Sequence, residues 1–287
     1  MAYIDLDQLI ARIPDGCRLA LPPDYSGCAM AAVRRLIARG ARGLHLIGVP
    51  TLGFQGDMLI GAGCVATVEC AAVTFGEYGP APRFVAAAKA GTLRIVDGTC
   101  PAIHAGLQAA EKGIPFMPLR GIIGSDLVDH RDDWKIADNA FGENDPILLV
   151  KAITPDVALF HAALADHQGN VWIGVRRELM TMAHAARTTL VTVEAIHDGD
   201  LLADDRWAAG AIPALYVTAL SEAKNGAWPI GLRGCYDADA SHLAAYVEQA
   251  QTAEGFEEYV GRFVRRHNAP EDEAAPSRRE TGPVRRV

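Results

Sequence analysis

The 287-residue sequence has no basic excess, no long apolar run, no paired cysteines and no internal repeat. Its 27 Lys and Arg face 35 Asp and Glu, a formal charge of −8. A general nucleic-acid binder needs a basic face to neutralise phosphates, so the charge argues against that class. A local site for an anionic ligand stays open. No stretch reaches the roughly 18 apolar residues a membrane span requires. The longest candidate, 147–165, is broken by Lys151, Pro155 and Asp156. The first residues, MAYIDLDQLI, carry acids where a secretory leader would carry bases, and a cytoplasmic location is expected. The six cysteines, Cys17, Cys28, Cys64, Cys70, Cys100 and Cys235, form no C-x-x-C pair and no finger-like spacing with histidines. They read as small buried hydrophobes, which argues against a zinc site and against disulfides. No G-x-S-x-G elbow occurs, which argues against a serine hydrolase.

What is present is alternation. Apolar runs at 17–21, 44–49, 93–96, 114–119, 147–150, 157–160, 171–173 and 189–194 read as strands, with shorter pieces at 59–60, 73–75 and 215–219. Segments 5–13, 28–39, 82–90, 102–112, 178–186, 239–251 and 255–264 read as helices. Gly40, Gly91 and Gly113 close three of them. Strands alternating with helices imply an α/β fold with a mostly parallel open sheet. One domain is expected over residues 1–266. Residues 267–287, HNAPEDEAAPSRRETGPVRRV, mix Pro, Glu, Arg and Ala with almost no apolar side chains, so a disordered charged tail is expected.

Several constellations could carry chemistry. Strand 93–96 feeds a loop and then a helix, the place where open parallel sheets bind ligands. Free N–H groups at that helix start favour an anion, so Thr99 and Cys100 sit on favourable ground. A cysteine there can be nucleophilic, although an inert Cys is commoner. Arg120 enters a loop with Gly121, Gly124, Ser125 and Asp126, a candidate carboxylate clamp because a guanidinium can pair with both oxygens. The alternative is an ion pair with Asp126 or Asp129. Ser26, in the strand-to-helix loop PPDYSGCAM, is either a helix cap or a substrate contact. GAGCVA (61–66) loosely fits a dinucleotide fingerprint but lacks the acid expected some 20 residues on. Glu77 and Arg83 have no visible partner and read as structural. His161, Asp166 and His167 crowd the Gly169-Asn170 turn, yet they are spaced for a turn and lack a third ligand, so no metal is expected.

That last segment, DVALFHAALADHQGNVWIG (156–174), resembles the "aDvAlihA..AD..GN" stretch of the family I CoA-transferases. AHAARTTLVTVEAIHDGDLL (183–202) resembles the family's "A.AA...ivEvEeIv..G.l" stretch. Segments 106–127 and 138–166 are most similar to the glutaconate CoA-transferase A-subunit branch, and the resemblance covers about residues 5–260. It implies helices on both faces of the sheet and an α subunit that works with a β subunit in a heterotetramer or larger assembly. It implies coenzyme A as substrate with no bound cofactor, and CoA exchanged between an acyl-CoA and a small, dicarboxylic acid through a glutamyl-CoA on the β subunit. Ser26, Thr99, Cys100, Arg120, Gly124 and Ser125 would then line the cleft, with Cys100 the one catalytic candidate on this chain. Two positions depart from the pattern. The Pro22 loop has Asp24, Tyr25 and Ser26 where relatives pair glycines, and Cys100 stands where relatives carry Gln or Glu. A CoA-ester hydrolase or decarboxylase on the same scaffold is one rival reading. A partner-independent protein, resembling a sugar-phosphate isomerase or a ligand sensor, is another.

Overall fold

The computed structural model describes residues 2–265; the expected tail at 267–287 lies outside the described residues. Among the described residues thirteen strands run β1 Ala2–Tyr3, β2 Arg18–Leu21, β3 Leu44–Gly48, β4 Val65–Cys70, β5 Arg94–Asp97, β6 Phe116–Leu119, β7 Trp134–Asp138, β8 Pro146–Lys151, β9 Val157–Asp166, β10 Val171–Trp172, β11 Thr188–His197, β12 Ala211–Ile212 and β13 Ala219–Glu222. The helices are α1 Leu6–Ile10, α2 Met30–Arg39, α3 Phe54–Gly61, α4 Pro82–Ala90, α5 Cys100–Glu111, α6 Arg177–Ala185, α7 Asp205–Ala208, α8 Ala240–Gln249 and α9 Ala253–Val260.

The large sheet has the order β1-β13-β11-β9-β2-β3-β4-β5, and every neighbouring pair in it is parallel. β10 and β12 extend it with an antiparallel ladder on the end of β9. From the β2–β9 boundary the chain winds outward both ways, β2 to β5 on one side and β9 to β13 on the other. That boundary is a topological switch point, and ligands of such sheets bind beyond the carboxyl ends of the strands there.

The strands read as continuous apolar runs because both faces are covered. Successive side chains point to opposite faces. Leu19, Leu21, Leu46, Val157 and Leu159 pack with α1, α2, α3, α8 and α9. Ala20, Ile47, Ala158, Phe160 and Val191 pack with α5 and α6. The mostly parallel sheet is what the strand–helix alternation implied, and the helices on both faces are what the family resemblance implied.

Three expected strand pieces differ: at 215–219 a 3-10 turn spans Ala214–Tyr216 and β13 begins only at Ala219, and the other two are not strands. Residues 59–60 lie inside α3, whose residues 54–60 are all buried. A helix buried all round, its polar Gln55 and Asp57 included, has no 3.6-residue apolar stripe, so its sequence does not announce a helix. Residues 73–75 make only isolated bridges, Leu52 to Val73 and Thr74 to Pro80. Strands β4 and β7 were missed, since VATVEC and WKIAD each mix polar and small residues.

Strands β6, β8 and β7 form a separate antiparallel sheet. Its core, Trp134, Leu148 and Val150, packs on Ala102 in the first turn of α5. Arg131 fastens it to the large sheet. The buried guanidinium donates to Glu69 Oε1 of β4 and to Asp133 Oδ2 at 2.8 Å each, and to the Asp97 carbonyl at 2.9 Å. Burial by itself would push Glu69 up, yet His45, Arg131 and Arg18 hold it below its ordinary value.

Candidate functional site

A cavity of about 530 Å³ opens at the carboxyl ends of β2, β3 and β4, beside the switch point. Loops following these strands supply Asp24, Tyr25, Leu52 and Phe75, and the start of α3 supplies Phe54; Arg176 enters from the turn before α6, and Arg233, Tyr236 and Asp237 from a later loop.

The first loop explains the shape of the wall. Pro22 and Pro23 end β2, because proline cannot donate to the ladder. Gly27, at φ +79°, turns the chain over β9, and its carbonyl accepts from His161 N at 2.8 Å. A Cβ on Gly27 would meet the His161 carbonyl at 2.1 Å, so only glycine fits. Asp24 turns back across the cavity base, and both its oxygens accept from Phe54 N at 3.0 Å. This crosses over Gly53, where a Cβ would lie 2.1 Å from Asp24 Oδ2. Burial pushes the Asp24 carboxyl up to about 6. Ser26 is buried, and its hydroxyl donates to the Glu178 carboxylate of α6. It is therefore not a helix cap; α2 begins at Met30 behind an Ala29 N-cap. Between these two anchored residues Tyr25 stands exposed, with the Arg176 guanidinium 5.2 Å from its ring centroid. Burial raises the Tyr25 hydroxyl above its ordinary value, and the charge of Glu178 adds to this.

Thr99 and Cys100 lie at the carboxyl end of β5. Thr99 Oγ1 accepts from Ala102 N at 3.4 Å as the N-cap of α5. Cys100 is exposed and lies within electrostatic reach of Tyr25. The structure thus gathers Ser26 and Cys100 near Tyr25. It does not bring Arg120 there. Arg120 ends β6 on the small sheet, forms a two-pronged pair with Asp145, and lines a separate groove with Phe116 and Phe141. Gly124 (φ +86°) and Ser125 occupy the next loop, and the Ser125 hydroxyl is buried without a hydrogen-bond partner among the described residues.

Arg176 and Arg233 are cavity residues that sequence reasoning missed. Each follows a glycine within two residues, in GVRR and GLRG, a signal shared by many surface loops.

The motif residues around 161–170 are scaffold. His161 is fully buried, its ring between Thr192 Oγ1 and Glu194 Oε1 at 2.8 Å each. Glu194 also accepts from Tyr236 and from the Asn225 and Gly226 N–H groups, which holds the 225–236 loop against the cavity. Asp166 is buried and collects four donors, Gln168 N, Asn170 N, Asn170 Nδ2 and Leu201 N, at 2.7–3.0 Å. His167 points to solvent beside Asp198. Among the described residues no group of three or more His, Cys, Asp or Glu could hold a metal ion. Among them, too, no helix is long and apolar enough to cross a membrane.

A doubly wound parallel sheet with a cavity beyond its switch point, walled by two arginines, is the frame of an α/β protein of the kind that places ligand sites there. The chain belongs to the coenzyme A transferase family: the family model matches residues 3–222. It is 31% identical to the A-subunit of the glutaconate CoA-transferase of Acidaminococcus fermentans over 251 residues, 82% of this chain and 78% of the relative. The crystal structure of the glutaconate CoA-transferase of that organism superposes with a TM-score of 0.86 at 27% identity, covering 92% of this chain and 89% of that one. The decarboxylase AibA/AibB superposes with a TM-score of 0.78 at 29% identity, covering 91% and 98%. The chain spans about half the length (53%) of an uncharacterized protein of Archaeoglobus fulgidus, with which it is 31% identical over 82% of its own residues.

Proposed function

We propose that the chain is the α subunit of a heteromeric CoA-transferase that moves CoA between an acyl-CoA and a small dicarboxylic acid. The observation that carries this is the cavity at the switch point, in a member of this family, with arginines for a carboxylate and apolar walls for a carbon chain. The acids that line it among the described residues are Asp24 and Asp237, and neither is a glutamate. That supports a nucleophilic glutamate brought by a β subunit.

In this reaction the β-chain carboxylate attacks the thioester carbonyl, the C–S bond breaks, and an anhydride and the CoA thiolate form. The thiolate attacks the glutamyl carbonyl of the anhydride, which releases the first acid as its carboxylate and leaves a glutamyl-CoA thioester. The acceptor carboxylate then runs the two steps in reverse. Covalent catalysis divides one hard exchange into easier ones. In this reading Ser26, Thr99 and Cys100 belong to the wall of the cleft, with Ser26 acting through Glu178. Cys100 is then replaceable by serine with most of the turnover kept.

The test is co-expression with a candidate β chain and assay of CoA transfer. Ping-pong kinetics, with acyl-CoA consumed only when acceptor acid is present, are expected. Release of free CoA without an acceptor would replace this reading with the hydrolase. Loss of CO2 from the acyl group would replace it with a decarboxylase, the second reading, which the AibA/AibB superposition favours.

A further inference from the structure

The transferase reading leaves open which group holds the end of the acid remote from the reaction. Arg120, the first candidate, is occupied by Asp145 and faces another groove. Arg176 is differently placed. It lines the cavity, and its Nε is buried without a hydrogen-bond partner among the described residues. A buried donor without an acceptor is costly, and a carboxylate arriving in the cavity would supply one.

The guanidinium is also braced. Its carbon lies 5.2 Å from the centroid of the Tyr25 ring, an arrangement that restrains its plane. Tyr25 in turn is pinned by its two neighbours, Asp24 through Phe54 N and Ser26 through Glu178. A planar fork held in advance loses little freedom on pairing with a carboxylate. Asp24 shares the cavity, but both its oxygens already face Phe54 N. Leu52, Phe54 and Phe75 line the apolar part of the cavity.

We propose that Arg176, braced by Tyr25, clamps the distal carboxylate of a dicarboxylic acid whose carbon chain lies on the Leu52–Phe54–Phe75 wall. Arg176 is thereby the residue that selects diacids over monoacids. This rests on the transferase reading only in taking the acid as substrate.

The test measures binding and turnover separately, on the full chain assembled with its β partner. Calorimetry with glutarate, adipate and butyrate gives the binding. CoA transfer to the same acids gives the KM values. The wild type is expected to bind the diacids better than butyrate. Arg176→Gln is expected to weaken diacid binding about 10- to 100-fold, the loss of a charge-assisted pair. Butyrate is expected to change by less than about threefold by the same reckoning, since it makes no such pair. Arg176→Lys keeps the charge without the fork and restores only part. Unaltered diacid binding in Arg176→Gln overturns the clamp. So does an equal loss for diacids and butyrate, a wild type with no diacid preference, or a selective loss appearing in Arg120→Ala instead. If selective binding falls in Arg176→Gln but no acid accepts CoA, the clamp stands and the transferase reading fails. If transfer proceeds with the diacid KM unchanged in Arg176→Gln, the reverse holds.

Discussion

Replacing Asp166 by asparagine isolates one oxygen for nitrogen in a fully buried place. In the native turn Oδ1 accepts from Gln168 N at 3.0 Å and Asn170 N at 2.9 Å, while Oδ2 accepts from Asn170 Nδ2 at 2.7 Å and Leu201 N at 2.9 Å. An amide oxygen can keep the first two. The amide nitrogen then confronts two donors, and all of them are buried. Flipping the Asn170 amide relieves one clash but breaks the bond from Ala214 N to Asn170 Oδ1. Two orphaned donors at about 1–3 kcal/mol each give an expected loss of about 2–6 kcal/mol. For a chain of this size that lowers Tm by roughly 5–15 °C. Burial alone would raise the Asp166 carboxyl, yet Leu201 N and the Asn170 groups hold it below its ordinary value. Its contribution is therefore present above the unfolded carboxyl value and is lost as pH falls through the lower folded value. The gap between wild type and Asp166→Asn should accordingly narrow in acid. Urea unfolding at neutral and acidic pH reads both effects. A loss below about 1 kcal/mol at neutral pH, or a pH-independent gap, would refute the scaffold role argued from these bonds.

Three further outcomes follow from the geometry. Arg131→Met leaves Glu69 buried with only Arg18 and His45 nearby, and is expected to cost about 3 kcal/mol; adding Glu69→Gln should recover part of it, as a double-mutant cycle in urea would show. Gly27→Ala puts a Cβ 2.1 Å from the His161 carbonyl at a positive φ, so the Pro22 loop must lift from β9, and a loss of thermal stability together with a change in Tyr25 fluorescence environment is expected. Asp57 is buried, accepts from Phe84 N and Tyr246 Oη at 2.7 Å each, and is pushed by burial up to about 6 from 3.8. The folded form holds the proton more tightly, so this stability is full below about pH 4 and is lost as pH rises through about 6. It amounts to about 3 kcal/mol, and Asp57→Asn should abolish that part of the pH dependence in urea titrations at pH 4 and pH 7.

Much of the fold could be read from local pattern. A continuous apolar run marks strands such as 157–160, the first part of β9, and glycine ends mark helices such as α2 and α4, because these signals act within a few residues. Helix α3 escaped for the opposite reason: burial on every side erases periodicity. Ser26, Thr99 and Cys100 stood out because strand-to-helix loops are where parallel sheets place their chemistry; Ser26 and Cys100 fall beside Tyr25, while the cavity wall itself is made by other residues. Arg120 looked like a clamp because glycine and serine follow it, while its partner Asp145 lies 25 residues away. Arg176 and Tyr25 are about 150 positions apart, and no local pattern joins them. The motif around Asp166 and His161 identified a family without revealing the bonds by which its polar residues hold the turn and the 225–236 loop. Composition, periodicity and motif were thus sufficient for class and family, since each is written in short-range order. Which charges are paired, and which guanidinium faces the cavity, depended on long-range packing, because an ion pair is made by whichever residues the folded sheet brings within a few ångströms.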